Sequence, residues 1–329
     1  MSPNLRTGFR RLLNMLGCCA AALLTSGFVT AAFAATHDFN HDGRSDVLWQ
    51  STSSGQVVVW LMNGSTVIGG GSPGSVGSNW GIVGQRDFNG DGFADILWRN
   101  TTGEVVIWLM NGSTVIGGGS PGTVPTVWGI VGTGDFDGDG KGDILWYNSN
   151  TGQVLIWLMD GASVIGGGSP GSVTSSAGWL VVGTGDVDGD GNADIFWYNS
   201  TTGQVVIWLM SGSTVIGGPS PGSAPVAWFA TSTGDFNGDG KADILWENQF
   251  TGQVLIWLLN GTTVIGGGSP GSALGFNQPL TGDYNGDGMS DILWWSSTTG
   301  QVVIWFISGT TDRRRLAWCV ADRLAAPDY

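Results

Sequence analysis

Residues 87–112 have the sequence DFNGDGFADILWRNTTGEVVIWLMNG, and close copies of this segment recur along the chain. Its first part, 87–95, is an acidic loop with two glycines. Its last part, 104–110, is rich in β-branched and aromatic residues, which is typical of a strand. Such acidic loops begin at residues 38, 87, 135, 186, 235 and 283. A nearly constant period in a chain with 58 Gly and 18 Trp indicates a propeller or a solenoid.

Each repeat unit is expected to form four strands. In the second unit, Asn111-Gly112 is a strong hairpin signal between the last two strands. The glycine-rich stretch 117–122 is interpreted as the connector to the next unit. The predicted strands of this unit are 80–84, 95–99, 104–110 and 113–116.

The third strand favours a propeller because both of its alternating faces are apolar. Val105, Ile107 and Leu109 alternate with Val106 and another two apolar residues, whereas a sheet with one face in water alternates apolar and polar residues. Blades stacked around an axis cover both faces of each sheet. The fold class is therefore predicted to be all-β, a β-propeller of six four-stranded blades. A parallel β-helix is the rival, and its repeats are shorter.

Ring closure is left open by the two ends of the repeat array. No inner strand is evident before Asp38, so the C-terminal segment is a candidate to supply it. After Thr311 the repeat pattern ends and three consecutive arginines follow. This end is interpreted either as a truncated or frame-altered tail or as a diverged closing strand at 316–320. Seven blades, or an incompletely closed ring, are the alternatives.

The acidic loops are predicted to bind calcium. In DFDGDGKGD, residues 135–143, carboxylates occupy positions 1, 3, 5 and 9, and the carbonyl of position 7 is a further oxygen donor. Ca²⁺ accepts about six to eight oxygen ligands in a flexible shell, whereas Mg²⁺ usually keeps several waters. Position 3 is Asn or Asp, and position 7 varies, as expected if only its backbone is used. The predicted ligand residues are Asp38, Asn40, Asp42, Arg44, Asp46, Asp87, Asn89, Asp91, Phe93, Asp95, Asp135, Asp137, Asp139, Lys141, Asp143, Asp186, Asp188, Asp190, Asn192, Asp194, Asp235, Asn237, Asp239, Lys241, Asp243, Asp283, Asn285, Asp287, Met289 and Asp291.

Two other interpretations of the loops are less favoured. Polar turns without metal need one or two Asx residues, not several at one fixed spacing in six copies. An EF-hand needs a bidentate Glu at position 12 between two helices, but position 12 is a tryptophan such as Trp146, and the flanks are strand-like.

Composition supports metal sites and argues against nucleic acid as a partner. The formal net charge is −14, and most of the 26 acidic residues lie in the six loops. Six bound Ca²⁺ would bring this charge to about −2. With only 12 Lys and Arg, the chain has no basic stripe that could contact phosphates.

The N-terminus has the features of a signal peptide. Arg6, Arg10 and Arg11 precede the apolar run 12–34, and Ala32-Phe33-Ala34 fits a small-x-small cleavage site. An uncleaved anchor is the alternative. The predicted organisation is a signal peptide at 1–34, propeller repeats at 35–311 and an irregular tail at 312–329.

The mature chain is expected to be secreted, periplasmic or at the cell surface, a monomer with no membrane span. After cleavage, Cys319 would be its only cysteine, so no disulfide framework is predicted. Calcium is the alternative way to stabilise the fold in an oxidising compartment.

Tryptophans recur at fixed positions of the repeat. Two sets lie inside apolar strands and are interpreted as packing between blades, with a stacking platform for sugars as the alternative. A third set begins the inner strands near a rim and is a better candidate for contact with a ligand. The three sets are Trp49, Trp98, Trp146, Trp197, Trp246 and Trp294; Trp60, Trp108, Trp157, Trp208, Trp257 and Trp305; and Trp80, Trp128, Trp179 and Trp228.

The pattern DFNGDG-x-x-DILW followed by TG-x-V-x-IW-LMNG resembles the FG-GAP/VCBS repeat proteins of bacteria, which are similar to the β-propeller of integrin α-subunits. The resemblance covers roughly residues 36–310. It implies a six- or seven-bladed propeller that holds Ca²⁺ in its blade loops, at Asp38, Asn40, Asp42, Asp46 and their equivalents. It also implies a secreted or surface protein for adhesion and recognition.

Three functions are weighed. A calcium-stabilised binding or adhesion module with a protein or glycan ligand is favoured, and a carbohydrate-binding lectin is the alternative. An enzyme is not expected, because His37 and His41 are the only histidines and no nucleophile–base pair is evident.

Overall fold

The computed structural model describes residues 37–174 and 177–312, together with the backbone of two short strands at 29–30 and 318–320. All regular structure in these residues is β, and we find no α-helix there. Accordingly, the described part of the chain has no helix with the length and apolarity needed to cross a membrane. The predicted signal peptide and C-terminal tail lie almost wholly outside the described residues.

The strands form six consecutive antiparallel blades, each with its strands in chain order. Blade 1 contains β1 (Val29–Thr30), β2 (Val47–Ser51), β3 (Gln56–Asn63) and β4 (Thr66–Ser75). Blade 2 contains β5 (Trp80–Arg86), β6 (Asp95–Asn100), β7 (Glu104–Asn111) and β8 (Thr114–Thr123). Blade 3 contains β9 (Trp128–Gly134), β10 (Asp143–Asn148), β11 (Gln153–Asp160) and β12 (Ser163–Ser172).

Blades 4 to 6 follow the same plan with changes in the outer strand. Blade 4 contains β13 (Trp179–Gly185), β14 (Asp194–Asn199), β15 (Gln204–Ser211), β16 (Thr214–Gly217) and β17 (Gly222–Ser223). Blade 5 contains β18 (Trp228–Gly234), β19 (Asp243–Asn248), β20 (Gln253–Asn260) and β21 (Thr263–Ser272). Blade 6 contains β22 (Leu280–Gly282), β23 (Asp291–Trp295), β24 (Gln301–Trp305) and β27 (Trp318–Val320), together with a small hairpin of β25 (Ile307–Ser308) and β26 (Thr311–Asp312). The predicted fold class, a propeller of six four-stranded blades, is confirmed.

The outer strands are longer than predicted. In blade 2, β8 continues through the glycine-rich stretch that we interpreted as a connector. Gly118 makes this possible, since its φ is +134° and a Cβ there would lie 2.1 Å from the carbonyl oxygen of Ile107. Glycine is the residue that accepts this conformation. In blade 4, Pro219 replaces one of these glycines, and the outer strand is split into β16 and β17, because proline has no N–H for the ladder.

The ring closes through the same contact at all six boundaries between blades. At each boundary the backbone N–H of loop position 8 donates to the carbonyl of position 1 in the preceding loop. Ser45 donates to Asp283 at 2.6 Å, which joins the first blade to the sixth. The other five pairs are Ala94 to Asp38, Gly142 to Asp87, Ala193 to Asp135, Ala242 to Asp186 and Ser290 to Asp235, at 2.5–2.7 Å.

The two short terminal strands lie at opposite edges of their sheets. β1 pairs with β2 as the inner strand of blade 1, and β27 pairs with β24 as the outer strand of blade 6. The candidate closing segment therefore pairs within blade 6 and does not supply the inner strand of blade 1.

The core consists of six clusters, each of which lies between two adjacent blades. Trp98 packs with Phe39, Leu48 and Val59 of blade 1, and its equivalents do the same at the other boundaries. The first set of tryptophans is at most 5% exposed, as the packing interpretation predicts. In each blade one of them contacts a tryptophan of the second set, with ring centroids 4.7–5.4 Å apart.

Candidate metal loops

Each predicted metal loop connects the inner strand of a blade to its second strand. In loop 3, residues 135–143, the Asp135 carboxylate at position 1 folds the loop around itself. Its Oδ1 accepts N–H groups from Gly138 (2.7 Å) and Asp139 (3.1 Å), and its Oδ2 accepts the N–H of Gly140 (2.8 Å). The two glycines have φ values of +74° and +83°, which the sharp turns require.

Position 9 is buried and joins the loop to the third strand. The Asp143 side chain is 1% exposed; its Oδ2 accepts the N–H of Phe136 at 2.8 Å and its Oδ1 that of Met159 at 2.9 Å. The equivalent aspartates of the other five loops make the same two bonds. This second role of position 9 was missed by the sequence analysis, which treated the residue only as a metal ligand.

Burial of these aspartates raises their pKa. Desolvation is the largest cause, the two backbone hydrogen bonds oppose it, and nearby loop carboxylates add to it. The pKa rises to about 7 for Asp46, Asp95, Asp143, Asp194 and Asp243, and to about 8 for Asp291. A negative charge at position 9 is therefore disfavoured near neutral pH unless a positive charge stabilises it.

Two loops bring three carboxylates together. One oxygen from each of Asp135, Asp137 and Asp143 lies within 4.8 Å of the others, and Asp186, Asp188 and Asp190 form a second such group. In the other four loops position 3 is Asn. In loops 1, 2 and 5 its side-chain amide donates to the position 5 carboxylate, whereas in loop 6 the Asn285 Oδ1 is buried with no hydrogen-bond partner. The two carboxylate groups offer clustered oxygen donors, which suit a hard cation such as Ca²⁺.

The side chain at position 7 lies against the preceding loop. Lys141 of loop 3, for example, covers Gly90 at position 4 of loop 2, where an added Cβ would be 3.4 Å from the lysine Cγ. From the sequence, only a backbone role was predicted for position 7, and this side-chain contact was missed. The sequence of a single repeat could not have revealed this contact, because the contact joins two repeats.

The residue just before each loop also contacts the next blade. It is glycine in blades 3 to 6, where a Cβ would collide with a small residue; on Gly134, for example, it would lie 2.6 Å from the Ala193 Cβ. In blade 2 it is Arg86, and the residue facing it is Gly142, where a Cβ would lie 2.3 Å from the arginine Cγ. At this boundary the larger residue therefore precedes the loop and glycine faces it, whereas in blades 3 to 6 glycine precedes the loop and the larger residue faces it. Burial lowers the pKa of Arg86, and the carboxylates of Asp135, Asp143 and Asp87 oppose this shift.

Arg86 lines a cavity of about 210 Å³ among the first three loops. The other lining residues are Asp38, Asp87, Gly92, Ala94, Asp135 and Gly140. The rim tryptophans Trp80, Trp128, Trp179 and Trp228 are all partly buried. The backbone carbonyls of three of them accept hydrogen bonds from the preceding blade, and Tyr198, for example, donates to Trp228 at 2.7 Å.

Comparison with known proteins agrees with this repeat structure. A family model described as an FG-GAP-like repeat matches three overlapping segments, 87–146, 135–197 and 186–246. No curated protein sequence matches the chain.

Solved structures are similar to this chain at low sequence identity. A chain of the Photorhabdus luminescens Tc holotoxin pore is 15% identical with a TM-score of 0.52, over 84% of this chain and 14% of the toxin chain. A chain of the nidogen–laminin complex is 12% identical with a TM-score of 0.49, over 79% of this chain and 89% of that one. The Cps50 (Swd1) β-propeller domain from Myceliophteria thermophila is 11% identical with a TM-score of 0.48, over 88% and 99%.

Such identities are informative about fold alone. The family match is more specific, because it falls on the acidic loops and on the strands that flank them. Residues 87–246 therefore consist of FG-GAP-like repeats, and they lie inside a ring of six similar blades that matches an FG-GAP repeat β-propeller.

Proposed function

We propose that the protein is a calcium-stabilised binding module that acts outside the cytoplasm in adhesion or recognition. The observation that carries the calcium assignment is the buried aspartate at position 9. Six such carboxylates lie beside other acidic groups, and burial raises the pKa of each to about 7 or 8. A bound divalent cation would compensate this charge at neutral pH.

The residues of each loop have distinct parts in this proposal. Side-chain oxygens at positions 1, 3, 5 and 9 and the carbonyl of position 7 would hold the ion, which supplies positive charge. Position 9 would also transmit binding to the blade, because its carboxylate is bonded to the third strand. Position 1 would transmit it to the next blade through its carbonyl. Calcium would therefore fix the geometry between blades.

A binding role, and not catalysis, is favoured by the surroundings of the histidines. His37 is 1% exposed, and burial together with the charge of Arg86 lowers its pKa to about 3. A histidine in that state does not exchange protons near neutral pH, so it is a poor general acid or base. His41 lies on an exposed loop, where its Nδ1 is 2.8 Å from the carbonyl oxygen of Gly92. The location outside the cytoplasm is supported by the arginines and the apolar run at the N-terminus.

The test is a thermal melt of the purified protein with calcium and with excess chelator, together with a count of bound calcium. Each site would add about 2.7 kcal/mol when free calcium is a hundredfold above Kd, so the midpoint should rise steeply with calcium. Asp139→Ala is the matched variant, since position 5 is exposed and its loss should remove one ion without unfolding the blade. An unchanged midpoint, or no bound calcium, would overturn the assignment.

A further inference from the structure

The six position 7 side chains form a belt around the ring, each lying on position 4 of the preceding loop. At five boundaries position 4 is glycine, and an added Cβ would be 3.2–3.4 Å from the facing side chain. At the sixth, His41 of loop 1 lies beside Phe93 of loop 2, with ring centroids 5.6 Å apart. Every position 7 side chain is therefore placed between two candidate metal loops.

Charge alternates around this belt. Going around the ring, a cationic side chain at one boundary is followed by a neutral one at the next. Cations lie between loops 6 and 1 (Arg44), 2 and 3 (Lys141), and 4 and 5 (Lys241), and neutral residues lie between loops 1 and 2 (Phe93), 3 and 4 (Asn192), and 5 and 6 (Met289). The six boundaries thus fall into two classes of three, although the blades share one sequence pattern.

Two of the cationic groups lie close to acidic residues of their own blade. The Nζ of Lys141 is 3.6 Å from the Asp139 carboxylate of its own loop and 3.0 Å from Asp160 on the neighbouring hairpin. Arg44 is 3.7 Å from Asp42 of its own loop.

Lys241 acts on the preceding loop. Its stem covers Gly189 of loop 4, where an added Cβ would be 3.2 Å from the lysine Cε. Its Nζ donates a hydrogen bond to Asn260, which holds it beside the loops.

We propose that Arg44, Lys141 and Lys241 are built-in counter-ions, which neutralise the acidic loops in the metal-free protein and compete there with a divalent cation. The competition rests on the proposed calcium function; the neutralisation does not. A side-chain cation near a metal loop disfavours a second positive charge, and partial exposure limits the effect. Removing one of these cations should tighten calcium binding and weaken the metal-free ring.

The chain offers a matched pair of variants, because its neutral boundaries include a methionine. Lys141→Met removes a counter-ion between loops 2 and 3, and Met289→Lys adds one between loops 5 and 6. The side chains are similar in length, so charge is the main difference. Calcium binding is measured by competition with a chromophoric chelator at about 10 mM salt, where the screening length is about 30 Å.

We expect Lys141→Met to lower the Kd of the affected sites about twofold to fivefold and Met289→Lys to raise it by a similar factor. Both differences should vanish at about 1 M salt, where the screening length is about 3 Å. Equal affinity of the two variants at low salt, or shifts in the same direction, would overturn the competition.

Melts of the same variants with chelator at about 10 mM salt test the neutralisation separately. Lys141→Met should lower the metal-free midpoint at pH 8, and Met289→Lys should raise it. If the wild type binds no calcium, the proposed function fails. These melts still test whether the three cations stabilise the metal-free protein. Unchanged or opposite midpoints would overturn the counter-ion role.

Discussion

Each metal loop has two regions that differ in burial and in variability. The base, formed by positions 1, 2 and 9, is held by hydrogen bonds to its own blade and to the next one. The tip, positions 4 to 7, is mostly exposed. Position 9 is Asp in all six loops, whereas position 7 is a different kind of side chain at nearly every boundary.

This difference shows how a repeat can keep one architecture and still vary its chemistry. The base is constrained, because the carbonyl of position 1 and the carboxylate of position 9 make the same backbone hydrogen bonds in all six blades. The tip side chains contact the neighbouring loop and, for Lys141 and Lys241, the last residue of a third strand. They make no backbone hydrogen bond of the strand ladder, so we expect them to change charge with little effect on the strands. Variants in the two regions should therefore have separable effects on folding and on cation binding.

The largest expected effect is that of pH on stability, because the position 9 carboxylates of all six loops contribute together. In the metal-free protein the position 9 carboxylates have a pKa of about 7 or 8, compared with 3.8 for an ordinary aspartate. The folded state then binds more protons than the unfolded state at intermediate pH. This stabilisation is complete below about pH 4 and is lost as pH rises through about 7 to 8.

The measurement is a series of thermal melts in chelator from pH 5 to pH 8.5. The midpoint should fall across the series, and saturating calcium should flatten the dependence, since the ion replaces the protons. A metal-free midpoint that rises or stays level over this range would contradict the effect of burial on position 9.

Truncation of one base is expected to be the next largest effect. Asp143→Ala leaves two buried N–H groups, those of Phe136 and Met159, without an acceptor. We expect the free energy of unfolding in chelator to fall by about 2–4 kcal/mol, measured by urea denaturation. Asp139→Ala at the tip should cost less than about 1 kcal/mol under the same conditions. Equal losses of unfolding free energy for Asp143→Ala and Asp139→Ala would contradict the difference between base and tip.

A smaller effect than that of truncating position 9 is expected at the contact just before the loop. Gly142→Ala places a Cβ against Arg86, and we expect a loss of about 1–3 kcal/mol. Combining it with Arg86→Gly recreates the Gly134–Ala193 pair of the next boundary, so the double variant should recover part of this loss. Urea denaturation of the two single variants and the double variant measures the coupling. If the losses of unfolding free energy in the two single variants add up in the double variant, the two side chains do not compete for the same space.

The sequence was sufficient for much of this fold. Its period and the two apolar faces of 104–110 predicted six blades, and the inner three strands of the second unit were placed to within two residues. The outer strand was predicted too short, because Gly118 and its neighbours have low strand propensity, and here backbone pairing outweighs propensity.

The candidate site was predicted less completely than the fold. Loop spacing identified the acidic residues, and their assignment to calcium stays a prediction. Two features were missed: the backbone bonds of position 9, such as Asp143 to Met159, and the contact of position 7 with the preceding loop. Both depend on which segments the ring brings together, and that information is not present within one repeat.

The bond from Ser45 to Asp283 matches its five counterparts in length and partners. In this backbone hydrogen bond, the junction between the last and first blades is therefore equivalent to the other five. Numbering starts at one blade only because the polypeptide does. A circularly permuted chain, opened at another connector and joined at the present ends, would have the same six junctions to form.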